Sequence, residues 1–506
     1  MVAKSITAAI VGINAYKVEV EVDVTNSLPG MSIVGLPDSA VSEARERVHS
    51  AIKNSGFSFP TGKVIVNLAP ADIRKEGTNF DLPIAVGILK EQGVEIPDDE
   101  KTAYIGELSL DGSLRGVNGV LPLVSGLKDQ GVTTFFVPSE NSKEAALIQE
   151  VNIYGASHLR DVVAHYEGET LPKITVDISS YLEEHSLQEY VYDFIDVKGQ
   201  QKAKKALEIA AAGGHNLIMT GSPGSGKTMM AKCMASILPP LELEEAMELT
   251  KIYSICGLLS PNEPLMTKRP YRAVHHTASP NGIIGGGTNP KPGEITLAHR
   301  GVLFLDEIVE FPRQVLEVLR QPLEDGEVVI SRSKTSVRYP SQFMLLGAMN
   351  PCPCGYLGDR EKQCTCTDVQ VQRYKSRLSG PLLDRIDLIV NVPRLTTSEL
   401  NNTKSDGETS AEIRKRVVKA RKIQAERYKS EGIFTNSELT PSMIKKYCKL
   451  DEKTAELMKT ASQKYQLSGR RYNRVLKISR TIADLAGSEN ICLEHLTQAL
   501  QYRADV

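Results

Sequence analysis

The 506-residue sequence contains no tryptophan, and aromatic residues make up only 5% of it. Hydrophobic residues still reach 41% and charged residues 24%, a balance that is typical of globular proteins and excludes a disordered or fibrous chain. The sequence also lacks any apolar run near the ~18 residues that a membrane helix needs, and its first residues lack the pattern of a secretion signal. We therefore expect a cytoplasmic location and no membrane partner.

Cysteine is scarce too, with eight residues in the chain. Four of them fall between positions 352 and 366, which excludes a disulfide framework spread over the chain and favours a local metal or redox cluster. An excess of charge is also missing, because 60 Lys and Arg residues face 62 Asp and Glu residues. The chain as a whole is therefore not strongly basic, and any contact with DNA must come from local patches.

The length and the spacing of apolar residues predict an α/β protein with about three folding units, at roughly 150 residues per unit. Residues 1–165 mix strand and helix patterns, and the polar residues 166–190 predict a linker. In residues 191–395 short apolar strands alternate with helical windows, which is typical of a parallel sheet flanked by helices. Residues 396–506 predict a helical domain.

A glycine-rich motif, GSPGSGKT, follows the apolar strand NLIMT and opens a helical run. Its glycines let backbone N–H groups turn around phosphate oxygens, and the helix N-terminus adds partial positive charge. The lysine of the motif would reach the β- and γ-phosphates of ATP, and its threonine would bind Mg²⁺. The predicted ATP-binding residues are Gly221, Ser222, Pro223, Gly224, Ser225, Gly226, Lys227 and Thr228.

Two further apolar strands end in polar residues that suit the same chemistry. GVLFLDE ends in Asp306 and Glu307, and MLLGAMN ends in Asn350. Polar residues at the carboxyl ends of buried parallel strands meet at one edge of the sheet. We expect Asp306 to hold Mg²⁺ through water, Glu307 to polarise the attacking water and Asn350 to orient that water. The alternative for Asn350 is to close the turn before Pro351.

Over about 300 residues, from residue 193 to the end, the sequence resembles the AAA+ ATPases. GSPGSGKT is similar to the Walker A motif of that family, LFLDE to its Walker B motif and Asn350 to its sensor 1. The resemblance implies a P-loop core with a parallel sheet, a C-terminal helical lid, and hydrolysis of ATP with Mg²⁺.

The same resemblance assigns roles to arginines. In SGPLLDRIDL, Arg385 is similar to a finger that completes the site of a neighbouring subunit, and such a finger implies a ring. The alternative is an ion pair of Arg385 with Asp384 or Asp387. In SGRRYNRVLKISR, Arg470 is the first candidate for the catalytic sensor 2 residue and Arg474 the second.

Two insertions narrow the resemblance to one branch. In insertion pattern, residues 275–301 and 323–343 resemble the magnesium chelatase and minichromosome-maintenance helicase branch. The similarity to the magnesium chelatase-like ComM/YifB family is closer still, and AAGGHNL, HHTASPNGIIGGG, LRQPLEDG and MNPCPCGYLGD carry it. The second insertion predicts a β-hairpin whose tip carries Arg332 and Lys334 as candidate contacts to DNA phosphates; the alternative is an exposed, solvated hairpin. The basic helix over residues 412–429 could likewise contact DNA or form a solvated face.

The N-terminal domain of that family resembles the C-terminal domain of Lon protease, an α+β fold of the ribosomal-S5-like type. GELSLDGSLRGVNGVLP and VPSEN carry this likeness here. Proteolysis of the Lon type needs a serine that is activated by a lysine. When this sequence is aligned with that domain, Asn79 falls near the serine position and Leu121 at the lysine position. We expect an inactive peptidase domain that serves as a scaffold or contacts DNA. The alternative is that another serine and lysine rebuild the pair.

Two C-x-C pairs follow the sensor 1 strand directly. Four thiolates in a short loop suit tetrahedral Zn²⁺, and the alternative is reduced thiols in a glycine-rich turn. His275 and His276 are expected to be loop residues rather than ligands. The predicted zinc ligands are Cys352, Cys354, Cys364 and Cys366.

Spacing and composition by themselves support a P-loop ATPase. The ComM/YifB resemblance implies more: a hexameric ring that moves on single-stranded or branched DNA and acts as a branch-migration helicase in natural transformation and homologous recombination. Three alternatives stay open. They are a chelatase-type motor that remodels a protein partner, an ATP-dependent Lon-like protease, and a DNA-binding scaffold without enzymatic activity.

Overall fold

The elements of the chain pack into two units. The computed structural model describes residues 2–186, 190–287, 291–331, 336–359, 361–395 and 407–502. Residues 1–187 and 242–267 form unit 1, and residues 188–241 and 268–506 form unit 2. Helices and strands are numbered in chain order through both units.

Unit 1 is built on an eight-stranded mixed sheet with the order β10-β9-β8-β5-β1-β2-β4-β3. Its strands are β1 (Ala3–Val11), β2 (Asn14–Thr25), β3 (Gly30–Val34), β4 (Lys63–Ala69), β5 (Thr102–Tyr104), β6 (Glu107–Leu108), β7 (Leu114–Arg115), β8 (Thr134–Pro138), β9 (Asn152–Ala156) and β10 (Lys173–Ile174). Its helices are α1 (Ser39–Asn54), α2 (Asp81–Glu91), α3 (Val120–Lys128), α4 (Ser142–Ala145), α5 (Leu159–Glu167), α6 (Ile178–Ser186) and α9 (Leu243–Ile255).

Both faces of the unit 1 sheet are covered by helices. Along β2, Val18, Val20 and Val22 are fully buried at every second position, as the period of a strand requires. Phe135 and Phe136 are neighbours in β8 and belong to different cores, because successive side chains leave a strand on opposite faces. Helices α1, α2 and α5 cover the face that contains Phe136, and α3 and α4 cover the other.

In its described residues, unit 2 contains a five-stranded sheet, two short hairpins and a set of helices. Its strands are β11 (Leu217–Thr220), β12 (Tyr271–Val274), β13 (Gly285–Gly286), β14 (Lys291–Pro292), β15 (Val302–Leu305), β16 (Glu327–Ser331), β17 (Ser336–Pro340), β18 (Met344–Met349) and β19 (Leu388–Asn391). Its helices are α7 (Gln201–Gly213), α8 (Lys227–Ile237), α10 (Pro280–Ile284), α11 (Glu294–Leu297), α12 (Arg313–Val318), α13 (Arg320–Asp325), α14 (Asp368–Lys375), α15 (Gly380–Leu383), α16 (Ser410–Arg427), α17 (Pro441–Tyr447), α18 (Glu452–Lys464), α19 (Gly469–Leu485) and α20 (Leu493–Gln501).

The five-stranded sheet of unit 2 is parallel throughout, with the order β12-β15-β18-β11-β19. Every residue of β15 and β18 is buried, which explains why these strands are continuous apolar runs rather than alternating ones. Helices α16 and α19 of the C-terminal region pack directly on α7, and α16 also contacts α8. The predicted α/β fold, with its parallel sheet and helical C-terminal region, is confirmed.

The division of the chain into units differs from the predicted domains in three places. Residues 166–190, predicted as a linker, contain β10, which pairs with β9, and the whole of α6, which the side chain of Asp177 caps. Residues 242–267, predicted within the ATPase core, belong to unit 1, where α9 packs on α3. The core and the helical region, predicted as separate domains, form one unit because α16 and α19 bury their apolar faces on it.

None of the helices in the described ranges combines the length and the apolar character that a membrane crossing needs. The longest of them, α16, has 18 residues and is rich in lysine and arginine.

Candidate active site

Three neighbouring strands bring the predicted nucleotide-site residues to one edge of the unit 2 sheet. β11 and β18 run side by side with Thr220 paired to Met349, and β15 lies next to β18. Because these strands are parallel, the chain leaves all three at the same edge. The glycine-rich loop follows β11, Asp306 follows β15 and Asn350 follows β18.

The glycine-rich loop, residues 221–226, is shaped by its glycines. Gly224 and Gly226 have φ values of +77° and +91°, a left-handed conformation that glycine adopts without steric cost. At Gly221 a Cβ would lie 2.1 Å from the carbonyl oxygen of Val392, so no larger residue fits there. Helix α8 begins directly after the loop, and no side chain in the described part of the chain caps its N-terminus. Its first N–H groups can therefore bind an anion such as a phosphate.

Lys227 is buried inside the glycine-rich loop. Its Nζ donates to the carbonyl oxygens of Gly221 at 2.7 Å and Ser222 at 3.0 Å, and lies 3.4 Å from Oδ1 of Asn350. Burial lowers the pKa of Lys227, whereas the nearby carboxylates of Asp306 and Glu307 act in the opposite direction. A bound phosphate would replace neutral carbonyl partners by charged oxygens, which accept stronger hydrogen bonds.

The Thr228 hydroxyl and the Asp306 carboxylate meet beside the loop. Thr228 Oγ1 donates to Oδ2 of Asp306 at 2.8 Å, and Oδ1 of Asp306 accepts from the N–H of Glu307 at 3.0 Å. Hydroxyl and carboxylate oxygens are the ligands that Mg²⁺ prefers. The pair therefore fits the Mg²⁺ that accompanies a nucleotide, with Thr228 and Asp306 as the residues that would hold it.

Glu307 lies at the same edge in an uncommon backbone conformation, with φ at +49°. Its side chain is 55% exposed, and its Oε2 lies 3.7 Å from Nδ1 of His276. The rings of His275 and His276 have their centroids 4.1 Å apart in a loop. Sequence reasoning missed the contact between His276 and Glu307. That contact depends on the pairing of β12 with β15, which places the residues after both strands together and which the sequence does not show.

The predicted finger, Arg385, lies at the opposite edge of the sheet. Its carbonyl oxygen accepts from Nδ2 of Asn216 at 2.9 Å, and Asn216 comes just before β11. Its guanidinium pairs with Glu324, whose carboxyl pKa is lowered by this contact. Within the described residues this partner is Glu324, and not Asp384 or Asp387 as the alternative expected.

The two sensor 2 candidates lie close to Arg385. Arg474 is mostly buried and donates to Oδ1 of Asp384 at 3.2 Å and to the carbonyl oxygen of Leu383 at 3.1 Å. Arg470 is 66% exposed and lies 3.6 Å from Oδ2 of Asp384. We call Arg385, Arg470 and Arg474 the arginine cluster. The arginine cluster lies at one edge of the sheet, and the glycine-rich loop of the same chain lies at the other. The four residues of β11, roughly 13 Å of strand, separate the two.

Comparison with known proteins identifies the family. Family models match residues 193–400 ("Magnesium chelatase, subunit ChlI"), 20–141 ("Subunit ChlI of Mg-chelatase") and 407–503 ("Magnesium chelatase, subunit ChlI C-terminal"). Competence protein ComM of Haemophilus influenzae is 44% identical over 500 residues, which cover 98% of this chain and 96% of that protein. The chain belongs to the ComM/YifB family of magnesium chelatase-like AAA+ ATPases.

Other relatives agree with this placement. The uncharacterized protein YifB of Salmonella typhimurium is 42% identical over 98% of this chain and 96% of its own length. A magnesium-chelatase subunit ChlI homolog of Methanocaldococcus jannaschii is 26% identical over 47% of this chain and 69% of its own length. The predicted family resemblance is confirmed, and membership in the ComM/YifB family supports an ATPase that uses ATP and Mg²⁺.

The cysteines of this ComM/YifB member form a compact cluster. The sulfur of Cys352 lies 3.4 Å from that of Cys354 and 3.7 Å from that of Cys364, and all four cysteine sulfurs lie within 4.8 Å of one another. The backbone N–H groups of Tyr356 and Thr365 point at the thiol of Cys354 and lower its pKa to about 5. In the described part of the chain, this is the only group of three or more His, Cys, Asp or Glu side chains that could hold a metal ion.

The predicted contacts to DNA are placed only in part. Arg332 and Lys334 lie outside the described residues, although the flanking strands β16 and β17 pair as a hairpin. The hairpin begins at Glu327, because residues 323–325 of the predicted insertion still belong to α13. In the basic helix α16, Arg416 pairs with Glu208 at 2.6 Å and Arg427 pairs with the buried carboxylate of Asp484. These cations serve unit 2 itself.

The two Lon-aligned positions of unit 1 carry no catalytic groups. Asn79 is buried and donates from Nδ2 to the carbonyl oxygen of Ala8 at 3.0 Å. Leu121 is fully buried, and its N–H donates to the carboxylate of Glu144 at 2.9 Å. A serine–lysine contact does occur elsewhere, where Nζ of Lys251 lies 2.9 Å from Oγ of Ser125. Ser125 sits within α3, where the N–H groups that would have to bind an oxyanion serve the helix.

Proposed function

We propose that this chain forms a hexameric ring in the cytoplasm and uses ATP hydrolysis to translocate on DNA, driving branch migration in natural transformation and homologous recombination. The full-length identity of 44% with Competence protein ComM carries this proposal. The nucleotide site supports the motor part of it. Lys227, Thr228, Asp306 and Glu307 meet at one strand edge and supply the groups that phosphate binding, Mg²⁺ binding and water activation need.

Assembly into a ring would give the arginine cluster a function. The cluster lies at the amino edge of the sheet, whereas the nucleotide of the same chain would bind at the carboxyl edge. In a ring the amino edge of one subunit would face the carboxyl edge of the next. Arg385 would then exchange Glu324 for the γ-phosphate of the neighbouring nucleotide, since phosphate oxygens form strong bonds with a guanidinium group.

The hairpin of β16 and β17 would supply the DNA contact. Its sequence carries Arg332 and Lys334 at the tip, and cations there would bind phosphates of either strand without reading bases.

The substitution Lys334→Ala is expected to weaken binding of single-stranded DNA equally at all sequences. Because one phosphate contact is lost, the slope of log K against log salt concentration should fall by about 0.7. Fluorescence anisotropy at several salt concentrations measures both quantities. Lys53→Ala, an exposed lysine of α1, serves as the control. An unchanged slope for Lys334→Ala would remove Lys334 from the DNA contact.

We propose that the cysteine cluster binds one Zn²⁺. A tetrahedral ion with Zn–S bonds of about 2.3 Å sets its sulfurs roughly 3.8 Å apart. The sulfurs of Cys352, Cys354 and Cys364 lie 3.4, 3.6 and 3.7 Å apart, close to that spacing, and all four sulfurs lie within 4.8 Å of one another. All eight cysteines of the chain are free thiols. Backbone N–H groups that donate to sulfur, as those of Cys354 and Cys366 do, stabilise thiolate ligands.

A chelatase-type motor that remodels a protein partner is the second candidate, favoured by the magnesium chelatase descriptions of all three matching family models. ATP turnover with and without DNA separates the two. Stimulation by a four-way junction above that by a linear duplex of equal length supports the DNA motor. Turnover that is unaffected by any DNA would transfer the proposal to a protein substrate. A Lon-like protease is disfavoured by Asn79 and Leu121.

A further inference from the structure

The segment that carries the cysteines runs along the nucleotide site. Asn350 lies 3.4 Å from Nζ of Lys227, and the fully buried Cys352 follows Asn350 by two residues. Gly355 packs against the glycine-rich loop so closely that a Cβ there would lie 2.7 Å from Cδ of Pro223. The segment from Asn350 to Cys366 therefore contacts the glycine-rich loop, which would hold the phosphates. The same segment contains Asn350, the neighbour of Lys227.

An electrostatic effect also relates the same two segments. The Ser222 hydroxyl is the main group that lowers the pKa of the Asp359 carboxyl, to about 2. Oδ1 of Asp359 accepts from the N–H groups of Glu361 and Lys362, whereas Oδ2 is buried and has no hydrogen-bond partner among the described residues. The effect of Ser222 on Asp359 agrees with the contact of Gly355 with Pro223, which is the packing that joins the two segments.

The two C-x-C pairs stand on either side of these contacts. Gly355 and Asp359 both lie between Cys354 and Cys364. A metal bound by both pairs would join the ends of this stretch and so fix its position. In the described residues, the two pairs contact each other through their sulfurs at 3.4 to 3.7 Å. Without the metal these weak contacts would remain, and the packing on Pro223 would lose the support of the metal–sulfur bonds.

We propose that Zn²⁺ in the cysteine cluster acts as a clamp on the glycine-rich loop and Asn350, so that ATP affinity depends on the metal. This inference rests on the proposed zinc site but not on the proposed action on DNA. The zinc would have a positioning role and would act through the stretch that contains Gly355 and Asp359.

The test compares the zinc content and the nucleotide affinity of single variants of the full chain, without DNA. Cys366→Ser removes one ligand, and Cys492→Ser alters a thiol at the N-cap of α20, where serine is also a favoured cap. The zinc content is measured by mass spectrometry of the reduced protein, and folding is measured by circular dichroism. The dissociation constant of a fluorescent ATP analogue is measured in the presence of Mg²⁺. We expect Cys366→Ser to lose zinc and to bind the analogue about tenfold or more weakly. Cys492→Ser should match the wild type in both.

Gly355→Ala keeps all four ligands and tests the contact itself. We expect zinc to be retained and the analogue to bind more weakly, because the new Cβ meets Pro223 and the φ of +85° is unfavourable for alanine. Wild-type protein without zinc would overturn the metal site. A folded, zinc-free Cys366→Ser protein with wild-type affinity would overturn the clamp, as would unchanged affinity in Gly355→Ala. Loss of junction movement alone bears only on the DNA function, which this binding measurement does not involve.

Discussion

Replacing Glu307 with glutamine is expected to stop ATP turnover while leaving ATP binding intact. Glutamine keeps the size of the side chain but cannot accept a proton from water, so kcat should fall by about 10² to 10⁴. Binding should survive because the contacts of Lys227 with the glycine-rich loop and of Thr228 with Asp306 do not involve the Glu307 carboxylate. Steady-state turnover and a nucleotide titration measure the two effects separately.

Glu310→Gln is the matched control for this substitution. Glu310 belongs to the same short turn after β15, but its carboxylate pairs with Arg377 at 2.8 Å. Its replacement should leave turnover within about twofold of the wild type, since an exposed pair contributes little. Normal turnover in Glu307→Gln would remove Glu307 as the residue that activates water, and His276, its neighbour at 3.7 Å, would become the next candidate.

Arg385→Ala is expected to abolish hydrolysis without weakening ATP binding by its own subunit. A finger that stabilises the transition state contributes about 10³-fold or more to kcat. Mixing Arg385→Ala with Lys227→Ala should restore part of the activity, although each variant is inactive alone. In a mixed ring, a Lys227→Ala subunit still offers its Arg385 to a neighbour whose glycine-rich loop is intact. ATP turnover across mixing ratios is the measurement.

Glu324→Gln distinguishes this role from a merely structural ion pair. Glu324 is 59% exposed and pairs with Arg385. If the pair only stabilised the fold, both substitutions would have similar effects. If Arg385 serves a neighbouring site, Glu324→Gln should keep its turnover, because the guanidinium is then released for phosphate. Equal loss in both variants, with no recovery on mixing, would contradict the finger.

The parts of the site that could be predicted from the sequence depend on neighbours in the chain. Gly224 and Gly226 adopt the positive φ values that the motif requires, and α8 begins at Lys227 directly after them. The placement of Asp306 and Asn350 beside Lys227 follows from parallel strands, because such strands share one carboxyl edge. The shape of the glycine-rich loop thus follows from neighbours in the chain, and the meeting of Asp306 and Asn350 beside Lys227 follows from the common direction of the strands.

The contacts that escaped prediction join residues far apart in the chain. Arg385 and Glu324 are 61 residues apart, and nothing in the charged sequence around Arg385 favours Glu324 over the nearer aspartates. The membership of residues 242–267 in unit 1 depends on tertiary bonds, such as that from the N–H of Gly119 to the carbonyl oxygen of Ser254 at 3.1 Å. The sequence of an amphipathic helix such as α9 indicates which face of the helix is buried, but it does not indicate which element that face packs against.

ATP-dependent resolution of labelled three-way and four-way DNA junctions tests the central proposal most directly. The substrates are incubated with ATP and Mg²⁺ beside a linear duplex, using the wild type and Glu307→Gln, and the products are separated on native gels. We predict that the wild type resolves both junctions, that Glu307→Gln binds them without resolving them, and that the duplex stays intact. ATP hydrolysis by the wild type with no junction resolved, and with no stimulation by DNA, would contradict a branch-migration motor.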